Sequence, residues 1–278
     1  DGAAGRGRYT YKSENGVGYL KASNARGDFS PKKTSITLYD VKDLSMLKYT
    51  LAIGNISFAF DDLRSGAYTR YSASVADIQM NNLVYLTFNK SSSALSSEKV
   101  RQAIALALDR AKLADESFQG HAKAAYTPFN PDWSAVADKD YTVKTDLEAA
   151  GKLLDEAGYA TDANGRRNLS FKFMTNAANT QDEYQSMQAD WQKLGIDVEI
   201  DEVEYAAMYQ SYLDGTYSVG ARAWYADYPI ADNYLYPLFH TGNGDNVSHF
   251  ADDKFEQLID AMKEKKGVTQ DVELSAED

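Results

Sequence analysis

The chain has 278 residues, 44% of them hydrophobic, with 29 basic and 41 acidic side chains and a formal charge of −12. That length holds one large domain or two, and that composition supports a real core. The acidic balance argues against nucleic acid and anionic lipid as partners, and the absence of cysteine excludes disulfides, thiolate metal sites and cysteine nucleophiles.

No run of about 18 apolar residues, the length of a membrane span, occurs. No leader sequence opens the chain at Asp1, so the expectation is a cytoplasmic protein, or a mature or trimmed piece of an exported one. Twenty tyrosines suit either a recognition surface or core margins with the hydroxyls in water.

Asn15-Gly16 lies between Arg8–Ser13 and Val17–Lys21. A two-residue turn needs positive φ, so this pair predicts a β-hairpin. Ser23 to Lys33 reads as a loop, and Ser35 to Tyr39 as a strand. Leu44, Leu47 and Leu51 predict a helix from about Asp43 to Ala52, stopped at Gly54. Ile56, Phe58 and Phe60 alternate with small residues and predict a further strand. Together these imply a parallel pair with a right-handed crossover. Asn82 to Asn89 is another strand. The serine-rich Ser91 to Ser97 reads as a hinge or crossing segment.

Beyond it the pattern turns helical. Val100, Ala103, Ile104, Ala107 and Leu108 repeat at helical spacing, with Ser97 near the start. Thr145-Asp-Leu-Glu148 is a capping box opening a helix with Leu147, Leu153, Leu154 and Ala157 inward, closed at Gly158. Asp162-Ala-Asn-Gly165 reads as a turn. Leu169, Phe171 and Phe173 alternate as a strand. A second capping box, Thr180-Gln-Asp-Glu183, opens a helix with Met187, Trp191 and Leu194 inward, and Gly195 ends it. Ile196, Val198 and Ile200 form the returning strand of a second crossover unit. Val219 to Tyr225 is one more strand. Phe255, Leu258, Ile259 and Met262 predict a final helix, before a polar tail expected to fray.

The chemistry concentrates at Ala221–Leu235. There a strand of small and aromatic residues stops at Asp227, turns at Pro229 and restarts as a helix. Ligands usually sit at strand ends in α/β sheets. A carboxylate beside Trp224, Tyr225 and Tyr228 suits a cation such as a ligand ammonium. An acid-capped turn with its aromatics in the core is the other reading of the same residues. His240 and His249, near Asp252 and Asp253, fit no metal-ligand spacing, and neither a metal nor a cofactor is expected. Asp227 with Asp232 leaves a carboxylate hydrolase as an alternative. Gly5-Arg-Gly7 and Gly242-Asn-Gly244 lack the context of a phosphate loop.

Five ordered segments resemble one family, the extracytoplasmic oligopeptide- and dipeptide-binding proteins of bacterial ABC importers. Gly5-Arg-Gly-Arg-Tyr9 is similar to its Gly-Thr-Gly-x-Tyr. Ile53-Gly-Asn-Ile-Ser-Phe58 stands where relatives carry Gly-Glu-hydrophobic-Asp, here without the acids. Val100–Arg110 resembles its Val-Arg-Gln-Ala…Asp-Arg helix. Ala149–Tyr159 resembles Ala-x-x-Leu-Leu-x-Glu-Ala-Gly-Tyr, and Trp224-Tyr-Ala-Asp-Tyr228 resembles Trp-x-Ala-Asp-Tyr.

The resemblance implies an α/β fold of periplasmic-binding-protein-like (class II) lobes, with mixed sheets flanked by helices. It implies a non-enzymatic clamshell for extended peptides, outside the cytoplasm and lipid-anchored in some parents. Its partners would be an ABC permease and ATPase, and it would be a monomer that binds no nucleic acid. Asp227 would pair with the peptide α-ammonium. Ala223 and Tyr225 would pair with its backbone, Trp224 would line a side-chain pocket, and Tyr228 would flank the acid. Relatives that bind nickel, haem or an oligosaccharide keep other solutes open. Some relatives carry an arginine where this chain has Ala221; Arg222 follows it and alternates to the opposite face. The chain is short for the family, so a fragment is expected. Residues 1–92 would be part of lobe I, 93–265 lobe II and 266–278 a charged tail. Such a piece is expected to bind peptide more weakly than a full-length version, which calorimetry on both would reveal.

Overall fold

A computed structural model of the chain describes residues 7–23, 30–60, 71, 73–76, 78, 80–133, 136, 139–179 and 181–264. The chain divides into two compact units, residues 1–76 and 77–278.

The first unit holds an antiparallel meander, β1 (Tyr9–Glu14), β2 (Val17–Ala22) and β3 (Ser35–Leu38). Asn15 and Gly16 make the turn at φ 53° and 80°, the positive pair that a two-residue hairpin requires. Helix α1 (Leu44–Ala52) starts where the Asp43 carboxylate accepts the N–H of Met46 at 2.7 Å. The expected crossover unit does not form here. β3 pairs antiparallel with β2, and 56–60 are not a strand. A strand must pair its backbone N–H and C=O groups with a neighbour, and no described strand runs beside this segment. Phe58 and Phe60 meet edge to face at 4.9 Å and remain exposed.

The second unit is built on a mixed sheet in the order β4 (Asn82–Phe88), β7 (Val219–Tyr225), β5 (Ser170–Asn176), β6 (Asp197–Val203). The expected first segment ran to residue 92, yet β4 pairs antiparallel with β7 along its whole length. The sheet therefore takes 82–88 into the second unit. β5 pairs in parallel with β6 from Ser170↔Asp197 to Asn176↔Val203. The connection between them is α5 (Asp182–Lys193), the crossover read from the alternating apolar residues.

One face of the sheet packs on α2 (Glu98–Leu106), α4 (Leu147–Glu156) and α5. Val100, Ala103, Ile104, Leu154, Phe173 and Trp191 are fully buried there, and the larger aliphatic or phenyl side chains contribute about 1.5–3 kcal/mol each on burial. Two helix starts differ from expectation. α4 is capped by Asp146, whose carboxylate accepts the N–H of Ala149 at 2.8 Å. Thr145 instead donates its hydroxyl to the Leu108 carbonyl at 3.0 Å, in the link between α2 and the next helix, which lies within its reach. Leu147, expected inward, is exposed. For α5 the N-cap is Gln181 without a side-chain cap bond. The Asp162 turn forms as read, its carboxylate accepting from the N–H groups of Asn164 and Arg166. These bonds, that of Arg166 first, hold its pKa below the ordinary value.

The unit is completed by α3 (Arg110–Phe118), α6 (Tyr205–Asp214), α7 (Asp232–Phe239) and α8 (Asp253–Glu264). The sequence reading did not separate α3 or α6. The expected features at Gly5, in the Ser23–Lys33 loop at 24–29, at Thr180 and in the tail 266–278 lie outside the described residues.

Candidate functional site

The site is the C-terminal half of β7 and the turn after it. Ala226 N–H donates to the Asn81 carbonyl and the Ser218 carbonyl accepts from Asn89 N–H, both toward β4. Backbone groups alternate along a strand, so even-numbered residues of β7 face β4. Val219, Ala221, Ala223 and Tyr225 present theirs to the opposite edge. β5 covers that edge only at Phe173↔Val219 and Met174↔Gly220. The Ala221 carbonyl accepts the Tyr212 hydroxyl at 3.0 Å. Beyond it, Ala223 and Tyr225 have no backbone partner on this side among the described residues.

Asp227 lies two residues past the strand. It is exposed, and among the described residues its carboxylate has no ion pair and no hydrogen bond. Tyr225 and Tyr228 beside it are both exposed. Trp224 is half-buried, and its indole N–H donates to the Asn233 carbonyl at 2.7 Å. This bond ties the strand end to the first turn of α7. Alternation puts Trp224 on the face opposite to Ala223 and Tyr225, packed with the cluster of Phe129, Tyr234 and Leu235. The structure thus brings Ala223, Tyr225, Asp227 and Tyr228 to one exposed strand end, with Trp224 anchoring it.

Arg222 faces a second, polar layer. Its guanidinium lies over the Tyr212 ring at 4.9 Å and reaches the Asp245 carbonyl and carboxylate at 3.3 and 3.5 Å. Its side chain is 11% exposed, so it is committed to this layer. Tyr217 donates to the Val247 carbonyl at 2.7 Å, and burial pushes its phenol up to about 12. Tyr85 pairs in register with Arg222; its hydroxyl is buried without a partner among the described residues, and burial raises its pKa too. Among the described residues, a buried oxygen of Asp232 also lacks a partner.

His240 contacts the Glu256 carboxylate and stacks on Tyr236 at 4.4 Å. Among the described residues, no group of three or more histidines or acids could hold a metal. Separate cavities of about 250 and 330 Å³ open beside Tyr126 and Phe129 and beside Lys172 and Glu199, away from Asp227.

The profile described as bacterial extracellular solute-binding proteins, family 5, middle region, matches residues 53–246. The chain belongs to this family. It is 27% identical over 180 residues to heme-binding protein A of Haemophilus influenzae, covering 64% of this chain and 33% of that protein. It is 27% identical over 187 residues to the periplasmic oligopeptide-binding protein OppA of Salmonella typhimurium, covering 64% and 34%. It is also similar to the solved oligopeptide-binding protein AppA of Bacillus subtilis in complex with a nonapeptide. There the TM-score is 0.68 at 22% identity, over 94% of this chain and 55% of that one. The family-5 chain thus spans about a third of the curated relatives it matches. The fold is that of the family's periplasmic binding proteins, with mixed sheets flanked by helices, as the resemblance implied. This is a family of binding proteins, not of enzymes.

Proposed function

We propose that this chain is the peptide-capturing part of a solute-binding protein that serves an ABC importer outside the cytoplasm. An extended peptide adds to the open edge of β7, exchanging main-chain hydrogen bonds with Ala223 and Tyr225. Its α-ammonium is neutralised by Asp227, with Tyr225 and Tyr228 as aromatic walls. Trp224 lines a side-chain pocket from the other face. Main-chain pairing ignores side-chain identity, so affinity comes with broad sequence tolerance. The ligand is delivered to a permease and ATPase, not turned over. The second unit corresponds to the peptide-binding lobe, the first to part of the other lobe.

One observation carries this reading: among the described residues, an exposed carboxylate without a partner lies two residues past a strand whose Ala223 and Tyr225 backbone groups also lack one. An ammonium–carboxylate bond is worth about 1.5–3 kcal/mol. Asp227→Ala should therefore weaken a free-amine tripeptide about tenfold or more and leave its N-acetylated form unchanged, by calorimetry. Equal losses for both peptides, or no loss for either, refute the role of Asp227. Haem or a nickel chelate binding tightly to the same variant, with no peptide binding to the parent, would replace the peptide by another solute.

A further inference from the structure

The exposed half of β7 exists because β5 and β7 stop pairing at one defined point, and two side chains sit at that point. In β5, the Ala177 N–H and the Leu169 carbonyl point toward β6, so Met174 and Asn176 face β7. Continuing the register beyond Met174↔Gly220 would give two bonds. Asn176 N–H would donate to the Ala221 carbonyl, and Ala223 N–H would donate to the Asn176 carbonyl. Both acceptors are instead taken, the Ala221 carbonyl by a side chain and the Asn176 carbonyl by a side chain together with the Asn179 N–H at 3.0 Å. The Tyr212 hydroxyl donates to the Ala221 carbonyl at 3.0 Å. The Gln181 side-chain amide donates to the Asn176 carbonyl at 3.1 Å and to the Asn179 carbonyl at 2.9 Å. Gln181 is itself oriented by the Thr175 hydroxyl at 3.1 Å.

Both caps are locally determined. Tyr212 crosses β7 at Gly220, where any Cβ would collide with its ring. The ring is held edge-on to Tyr217 at 4.9 Å and beneath the Arg222 guanidinium. Gln181 is the N-cap residue of α5, fixed where the helix leaves the end of β5. Past Met174↔Gly220 both arms of the fork are therefore bound without a further β5–β7 hydrogen bond among the described residues.

We propose that Tyr212 and Gln181 are positioning residues that terminate the β5–β7 ladder, so that Ala223 and Tyr225 stay free to receive a ligand strand. This rests on the peptide reading above. With the α-ammonium at Asp227, the ligand runs antiparallel to β7. Its paired positions lie opposite Tyr225 and Ala223, two apart, which spans roughly three ligand residues. A further pair at Ala221 is closed, because Tyr212 already holds that carbonyl. The two caps set both the opening of the edge and the length of the paired segment.

The test is amide hydrogen exchange by NMR on the whole chain and on the double variant Tyr212→Phe/Gln181→Met, with and without a tripeptide. Both substitutions keep the shape of the side chain and remove its donor. In the parent, Ala223 and Tyr225 amides should exchange freely and gain protection only with peptide. In the variant, the Ala223 amide should be protected without peptide, and tripeptide affinity should fall about fivefold per main-chain bond forfeited. Across tri- to hexapeptides, parent affinity should level off after the first members of the series. A parent Ala223 amide already protected without ligand overturns the proposal, as does a variant that exchanges like the parent. If the variant closes but no peptide protects the parent, the fork stands and the peptide reading falls instead. If the variant does not fold, the parent's exchange pattern and length series decide alone.

Discussion

The indole N–H of Trp191 donates to the Ile104 carbonyl at 3.0 Å, joining α5 to the last turn of α2 inside the core. Both residues are fully buried. The carbonyls of a helix's last turn have no partner within the helix, so a core tryptophan also serves as a cap. Trp191 meets the Phe173 and Phe171 rings edge-on at 5.1 and 5.4 Å. Trp191→Phe would keep a ring and lose both the bond and volume. The expected cost is about 3 kcal/mol, read as a lower urea midpoint with an unchanged slope.

Gly220 tests how closely β7 is fitted to α6. A Cβ there would lie 2.6 and 2.9 Å from two Tyr212 ring atoms, closer than carbon atoms pack. Gly220→Ala should cost about 1–3 kcal/mol by overpacking. In a Tyr212→Ala background the same substitution should cost almost nothing, and a double-mutant cycle by denaturant unfolding measures the difference. Additive costs would mean that the strand itself requires glycine.

Glu256 predicts a pH dependence. Its carboxylate accepts from the Thr241 hydroxyl at 2.6 Å and the Thr241 N–H at 2.7 Å, and it contacts His240. The Thr241 bonds lead in holding its pKa below the ordinary glutamate value. A carboxyl depressed on folding stabilises the native state above its unfolded pKa of about 4.3. That contribution fades as pH falls through the lower folded value. Glu256→Gln should therefore be less stable than the parent at about pH 6, with the gap closing below about pH 4. Denaturant midpoints across this range check it; a gap independent of pH would assign the effect to packing alone.

How far the sequence was legible varied from element to element. Asn15-Gly16 specified its hairpin because positive φ is a local demand. The β5–α5–β6 unit was legible because alternation and Gly195 agree on where strand and helix change. Thr145 and Asp146 are both competent caps, and only the distant Leu108 carbonyl decides between them. Ile56, Phe58 and Phe60 carry a strand pattern without a strand beside them. α6 did carry a signal, Met208 and Tyr212 one turn apart before Gly215, which has φ 64°. At the site, the residues themselves single out Asp227 as an acid at a strand end, while Ala223 and Tyr225 come from the family resemblance. The fork could not be named, because nothing in the residue pattern says that the Tyr212 and Gln181 side chains turn back onto the backbone of the neighbouring strands.

The opposite margin of the sheet carries a different consequence. β6 is a border strand, and Asp197, Glu199, Asp201 and Glu202 crowd its seven residues. A border with this charge repels a second copy of itself and so guards against edge-to-edge joining of sheets.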